Sequence, residues 1–318
     1  MPTVVYTDTA DMDTAVGIAQ LQGAGHQVIR LETHDADEIA AAAPQAQALA
    51  VGYAPISAEL LDRLPEVEVI SMLATGYDNV DMAVVARRGL CLATVGGVAA
   101  PDVATHALAL TLALIRDLPH YLGLAQNQGW FQFPEVVPPR TADLTIGLVG
   151  LGRIGSTLRP LLEPLFKRVV FSDPAQADGL SLDELADISD VVIVCVPLLA
   201  STRHLIDRTF LDRMRPGSYL VNVGRGGVVD SAAVRSAIDS SHLAGAAFDV
   251  LDQEPPPSDH PLLGHPKILV TPHTAYLSTR TEESYALIQA QNLIDWFEGH
   301  PVANAVTGVR QRDQAFST

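Results

Sequence analysis

From Asp143 to about Val270, short apolar runs rich in β-branched residues alternate with amphipathic stretches of about 10–15 residues. The runs are Leu144–Val149, Val169–Phe171, Val191–Val196, Tyr219–Val223, Ala246–Val250 and Ile268–Val270. They lack polar alternation, as parallel strands do when helices cover both faces. A chain so patterned has few alternatives to repeated βαβ units, because parallel neighbours need a crossover connection that a helix supplies. Ser181 and Glu184 stand at capping-box spacing before Leu185, marking one such helix. The first hundred residues alternate more loosely, with strands expected at Val4–Tyr6, Gln27–Leu31, Leu49–Val51 and Val69–Met72. They read as a second α/β domain. An Ala-rich helix is expected over Asp102–Leu118, followed by a Pro-rich segment at 134–139. A last helix over Glu282–Phe297 places Leu287, Ile288, Ile294 and Phe297 on one face and packs back onto the first domain.

Directly after the run ending at Val149 comes Gly150-Leu151-Gly152-Arg153-Ile154-Gly155, a GxGxxG sequence that opens a helical pattern. In that setting the first glycine permits the tight turn, Gly152 lets backbone approach a pyrophosphate, and Gly155 lets helix and strand pack closely. The next run leads to Asp173, 23 residues beyond Gly150, where a carboxylate hydrogen-bonds the adenosine ribose hydroxyls of a dinucleotide. No Lys or Arg occurs between Val169 and Thr202 to neutralise a 2′-phosphate, so the pattern favours NAD over NADP.

The formal charge of −17, from 37 acidic against 20 basic residues, repels nucleic acid and anionic membranes. It also offers no broad attraction to an anionic substrate, so a carboxylate must be captured by a few local donors. The N-terminus has no leader pattern and no apolar stretch approaches a membrane span of about 20 residues. Cys91 and Cys195 lie in apolar strand-like stretches, as reduced buried thiols of a cytoplasmic protein do. Apart from His106, which reads as structural, and His273, the ten histidines are scattered without metal-ligand spacing and read as surface or internally satisfied residues. Asp8, Asp11 and Asp13 lack the glycine and terminal Glu of a calcium loop and read as a solvated turn; no metal site is expected. Tyr77, Trp130 and Tyr276 read as ordinary packing aromatics.

Four further stretches carry a resemblance: LATGYDNVD from Leu73 to Asp81, NVGRGGVVD from Asn222 to Asp230, AAFDVLDQEP from Ala246 to Pro255, and TPHTA from Thr271 to Ala275. With GLGRIG, these closely resemble the D-isomer-specific 2-hydroxyacid dehydrogenases, the family of hydroxypyruvate and glyoxylate reductases, D-lactate dehydrogenases and phosphoglycerate dehydrogenases. The resemblance spans nearly the whole chain. It implies an α/β protein of two domains, a Rossmann-type doubly wound parallel sheet at 100–275 inserted in a flavodoxin-like substrate domain made of 1–99 and 276–318. It further implies NAD(H) in the cleft between the domains and a homodimer built on an arm at about 100–135. The expected partner is a small 2-keto or 2-hydroxy acid, with hydroxypyruvate and glyoxylate foremost.

By similarity, Arg225 holds the substrate carboxylate and polarises the keto oxygen, a task suited to its planar fork. His273 is the acid for reduction and the base for oxidation, and Glu254 hydrogen-bonds the imidazole and favours its protonated form. The resemblance assigns Ala74, Thr75 and Gly76 to the loop that receives the substrate carboxylate. Asp249 resembles the residue that orients the nicotinamide carboxamide. Val196, Pro197, Thr202, Val223 and Gly224 fall beside the cofactor, and Arg153 near its pyrophosphate, with a helix cap as the other reading of Thr202. Two features separate this chain from neighbouring activities: Thr75 stands where phosphite-oxidising members carry Lys, and Glu254 is replaced in formate-oxidising members. Thr105 replaces a carboxylate common in relatives, which bears on arm contacts. The motifs leave one alternative of another class open, an NAD-sensing, corepressor-like binding protein of the same fold.

Overall fold

Val4, Val5 and Tyr6 are all inaccessible to solvent, as are Ala48 to Val51, and a strand is buried along its length only where helices cover both faces of its sheet. The computed structural model, which describes residues 1–10, 12–127, 129–130 and 137–307, divides into two units. One is Met1–Val98 together with the chain from Ser278, and the other is Ala99–Leu277.

In chain order the first unit supplies β1 (Thr3–Tyr6), α1 (Ala15–Gly23), β2 (Gln27–Arg30), α2 (Ala36–Ala42), β3 (Ala48–Val51), α3 (Ala58–Arg63), β4 (Val69–Met72), α4 (Met82–Arg88) and β5 (Cys91–Ala93). The second follows with α5 (Ala100–Ile115), α6 (Leu118–Gln126), β6 (Thr145–Val149), α7 (Arg153–Leu162), β7 (Arg168–Ser172), α8 (Leu182–Ile188), β8 (Val191–Val194), α9 (Arg208–Arg213), β9 (Ser218–Asn222), α10 (Ser231–Asp239), β10 (Leu243–Phe248) and β11 (Ile268–Val270). The chain then returns to the first unit with α11 (Thr281–Glu298) and β12 (Ala305–Thr307).

The first sheet runs β2-β1-β3-β4-β5-β12, parallel except for β12, which pairs antiparallel with β5. The second runs β7-β6-β8-β9-β10-β11 and is parallel throughout. Both are doubly wound, and in each the direction of winding reverses once. In the second sheet that switch falls between β6 and β8, where an open α/β sheet leaves a crevice at its strand C-termini. The Ser181 capping box forms as the spacing predicts, with Ser181 accepting from the Glu184 amide and Glu184 accepting from the Ser181 amide.

Several expectations need correction. The helix expected over Asp102–Leu118 begins at Ala100 and stops at Ile115, because Asp117 adopts a left-handed conformation and α6 starts after it with Pro119 in its first turn. Residues 134–136 of the Pro-rich segment lie outside the described residues, as do Gln128 and 131–135 of the expected arm and Asp11 of the Asp cluster. On α11 the most deeply buried face is Tyr285, Ala286, Gln289, Ala290 and Leu293, while Leu287, Ile288 and Phe297 are half-buried. The apolar pattern misleads because Gln289 and Asn292 go inside as hydrogen-bond donors, Gln289 Nε2 to the Ser71 carbonyl at 3.0 Å and Asn292 Nδ2 to the Thr94 carbonyl at 2.9 Å. Trp130 is not a packing aromatic but 84% exposed. His26 is neither on the surface nor satisfied: it is buried against the Phe297 ring, and neither ring nitrogen has a hydrogen-bond partner among the described residues.

Asp8 departs furthest from a solvated turn. It is 4% exposed, and its carboxylate accepts from the amides of Tyr53 (2.8 Å), Ala54 (3.0 Å) and Gly52 (3.2 Å) in the loop after β3, and from the Thr7 hydroxyl (2.9 Å). Asp8→Ala leaves these donors without their acceptor, and the expected cost is roughly 2–3 kcal/mol, read as a lower urea midpoint at unchanged slope.

Candidate active site

Three successive strands of the second sheet, β9, β10 and β11, lie side by side and parallel, so the loops that leave them emerge at one edge. Those loops carry Arg225, Glu254 and His273. Gly226 brings the first two together: a Cβ there would stand 1.9 Å from the Leu251 carbonyl carbon and 2.2 Å from the Asp252 nitrogen, so only glycine allows the Arg225 loop to lie against the Glu254 loop. Asn222, buried at the end of β9, ties off the Arg225 turn by donating to the Arg225 carbonyl and accepting from the Gly224 amide, both at 3.0 Å. Arg225 Nη1 donates to the Gly224 carbonyl at 2.9 Å.

His273 Nδ1 donates to Glu254 Oε2 at 2.6 Å, and Glu254 Oε1 accepts from the Leu251 amide at 2.7 Å. Burial pushes the Glu254 carboxyl upward, but the hydrogen bond and charge of His273, the Leu251 amide and the Arg225 charge outweigh it and hold the group below its ordinary value. Glu254 is thus an acceptor only. Nδ1 must then carry its proton, which leaves Nε2 as the nitrogen that exchanges one. The imidazole is 37% exposed, and the Tyr276 ring meets it edge-on.

The His273 backbone is itself left-handed, with φ 52°, a conformation that a side-chain-bearing residue keeps only under constraint. The constraint is visible. The His273 amide donates to the carbonyls of Asp249 (2.8 Å) and Thr271 (2.9 Å), and the buried Asp249 carboxylate accepts from the amides of Thr274 (2.9 Å) and Ala275 (3.0 Å) and from the Thr271 hydroxyl (2.6 Å). His106 Nε2 on α5 lies 3.0 Å from that hydroxyl. No spacing in the sequence reveals the link of His106 to Thr271, which stand 165 residues apart.

At the switch point, the Gly155 Cα faces the Gly150 carbonyl so closely that a Cβ would stand 2.2 Å from it, whereas a Cβ on Gly152 would meet nothing within 4 Å. The helix start is therefore packed on one side and open above Gly152, with Arg153 exposed and Ile154 half-buried, the shape a pyrophosphate requires at a helix N-terminus. Asp173 accepts from the Leu151 amide (2.7 Å) and the Ala175 amide (2.8 Å), so it locks the glycine loop from the end of β7. After β8, Val196 is half-buried and Pro197 exposed; Thr202 caps no helix but closes this loop, donating to the Pro197 carbonyl and accepting from the Leu199 amide, both at 2.7 Å. Val223 and Gly224 are buried, the latter against the Val196 carbonyl. The Cys195 thiol, pushed up to about 12 by burial, is unfit as a nucleophile.

Ala74, Thr75 and Gly76 belong to the first unit, where they follow β4. The Ala74 carbonyl accepts from the Val95 amide and the Thr75 hydroxyl donates to the Gly96 carbonyl, which pins the loop, while the Thr75 and Gly76 amides have no protein acceptor among the described residues.

Residues 108–275 match the family model described as D-isomer specific 2-hydroxyacid dehydrogenase, NAD binding domain. This chain belongs to that family. It is an NAD-binding α/β oxidoreductase of 2-hydroxy acids, and its open glycine loop and Asp173 fit that cofactor. A glyoxylate reductase of Thermofilum pendens is 32% identical over 257 residues, 77% of this chain and 76% of that protein. A glycerate dehydrogenase of Methylorubrum extorquens is 29% identical over 310 residues, 94% of this chain and 97% of that one. The crystal structure of an NADPH-dependent glyoxylate/hydroxypyruvate reductase from Sinorhizobium meliloti, in complex with NADP and malonate, matches this dehydrogenase with a TM-score of 0.88 at 28% identity, covering 98% of this chain and 99% of the other. Among the described residues no group of His, Cys, Asp or Glu is placed to hold a metal ion, and no helix is long and apolar enough to cross a membrane.

A carboxyl whose pKa is depressed on folding stabilises the folded state above its unfolded value, here 4.5, and loses that contribution as pH falls toward the folded value. Urea unfolding of wild type and Glu254→Gln therefore should show a stability advantage of the wild type at neutral pH that shrinks below about pH 4.5. A gap independent of pH would mean that the Glu254–His273 bond carries no charge.

Proposed function

We propose that this dehydrogenase reduces a small 2-keto acid, hydroxypyruvate or glyoxylate, to the D-2-hydroxy acid with NADH, and runs the reverse reaction with NAD. The observation that carries this reading is the 2.6 Å bond from His273 Nδ1 to Glu254, which leaves Nε2 to serve the substrate. The nicotinamide supplies or accepts the hydride at C2 of the substrate. In the reductive direction His273 Nε2 gives its proton to the keto oxygen, and Glu254 stabilises the imidazolium that precedes this transfer. Arg225 neutralises the substrate carboxylate and polarises the carbonyl, and the amides of Ala74, Thr75 and Gly76 are donors suited to a carboxylate. In an acidic chain these local donors replace any general attraction. Residues 1–99 and 276–318 form the substrate domain, and 100–275 the cofactor domain.

Gly150, Gly152, Arg153, Ile154 and Gly155 hold the pyrophosphate, Asp173 the adenosine ribose, and Val196, Pro197, Thr202, Val223, Gly224 and Asp249 line the path to the nicotinamide. Names among the relatives support the substrate class: glyoxylate reductase, glycerate dehydrogenase and glyoxylate/hydroxypyruvate reductase. The S. meliloti protein is named NADPH-dependent; here the Asp173 carboxylate and the absence of Lys or Arg between Val169 and Thr202 favour NADH. The chain acts in the cytoplasm, in keeping with its two buried, reduced cysteines. It forms a homodimer through the region of α6, where Leu118, Leu122 and Trp130 are exposed.

The deciding assay is NADH oxidation at about 340 nm against a panel of 2-keto acids, with NADPH and His273→Ala in parallel. The expected result is turnover of hydroxypyruvate or glyoxylate with NADH preferred, and a loss of about 10²–10⁴ in kcat for His273→Ala with NADH binding retained. Full activity in that variant would sink the catalytic assignment, and activity confined to bulkier keto acids would sink the substrate assignment. Light scattering of wild type and Leu122→Asp tests the dimer, which the added charge should dissociate.

A further inference from the structure

Glu254 is aimed by its own loop, since the Leu251 amide holds one carboxylate oxygen while His273 takes the other. The angle at which it meets the imidazole therefore depends on where residues 251 and 252 sit. Gly226 limits their approach from one side, and a side-chain cluster holds them from the other. Asp252 Oδ1 accepts from the Ser231 hydroxyl at 3.0 Å and from His260 Nε2 at 2.8 Å. Ser231 opens α10, whose start is fixed by Asp230 accepting from the Ala233 amide at 3.0 Å. The His260 ring is 3% exposed, and its Nδ1 accepts from the Leu262 amide at 3.3 Å, so Nε2 is the nitrogen that donates to Asp252.

The order of the groups excludes nucleophilic chemistry. In a serine relay the imidazole stands between hydroxyl and carboxylate, whereas here the carboxylate stands between hydroxyl and imidazole, and among the described residues no base faces the Ser231 oxygen. An isolated surface ion pair would not need a buried imidazole. What remains is a clamp that joins α10, the Glu254 loop and the segment around His260.

We propose that Asp252, held between Ser231 and His260, is a positioning residue that aligns Glu254 and thereby sets the proton affinity of His273. The proposal rests on the reading of Glu254 and His273 as the proton-transfer pair. His273 is faced by Glu254, by Arg225 acting on Glu254, by Asp249 beneath its turn, by the Tyr276 ring, and by His106 through Thr271. Asp252 acts on this set through Glu254, two residues further along the same loop, so a shift in His273 on changing Asp252 reports the alignment of Glu254. Loss of the clamp loosens a 2.6 Å charged hydrogen bond, which lowers the affinity of the imidazole for its proton.

The experiment is the pH dependence of kcat for keto-acid reduction with saturating NADH in wild type, Asp252→Ala, Asp252→Asn and His273→Ala. Reduction needs protonated His273, so activity falls on the alkaline side as that proton is lost. Asp252→Ala should move this limb to lower pH by about one unit and lower kcat about tenfold near the wild-type limb, with KM for NADH within about twofold. Asp252→Asn keeps an acceptor oxygen for both donors and should restore most of the wild-type profile. A folded Asp252→Ala enzyme with an unmoved limb overturns the proposal even if its Tm is lower. Should that variant not fold, Ser231→Ala and His260→Asn decide by the same limb, displaced in support and unmoved in both in refutation. An active His273→Ala would instead overturn the underlying reading, which a displaced or unmoved limb in Asp252→Ala leaves standing.

Discussion

A carboxylate partly withdrawn from water keeps its charge where another charge and aligned donors offset the lost hydration. Glu254 is such a group, and the C-terminal edge of the second sheet is arranged around it. Its bond to His273 requires β10 and β11 to be neighbours in register, which places the two loops at one edge. Its depressed proton affinity draws also on Arg225, which arrives from β9 because Gly226 lets two backbones touch. The left-handed His273 is held by another carboxylate, the buried Asp249, whose three donors all belong to the turn it stabilises. One acid therefore tunes the imidazole and another aims it.

The same logic explains how a strongly acidic protein handles an anionic reactant. Long-range fields oppose the encounter, so recognition falls to short-range donors held in fixed geometry. Parallel sheets favour this. Every strand ends at the same edge, and side chains from distant parts of the chain meet there without long loops. The cofactor edge uses the same property, since the glycine loop after β6 and the loop after β8 flank the point where the winding reverses.

The strand runs and the glycine fingerprint were legible because their signals are local. A strand buried on both faces must be apolar throughout, and a helix packed on its own turn must have glycine there. The misreadings share a different cause. Asp8 looks like part of an acidic surface cluster, but the loop after β3 folds over it and gives it three amides. Gln289 and Asn292 interrupt an apolar stripe, yet they lie inside because carbonyls of the first sheet await donors there. Local pattern carries the cost of burying a polar group but not the partner that offsets it.

The amino-acid sequence by itself determined the α/β class, the succession of strands, the glycine loop with its acidic partner, and the family, since each depends on residue types at short spacing. Only the tertiary structure decided which nitrogen of His273 is free, which groups hold Glu254 charged, and how Ser231, Asp252 and His260 clamp its loop. Those facts depend on hydrogen-bond directions among residues that are distant in the chain. A hydrogen bond is set by angle and distance in space, and neither is written in spacing along the chain.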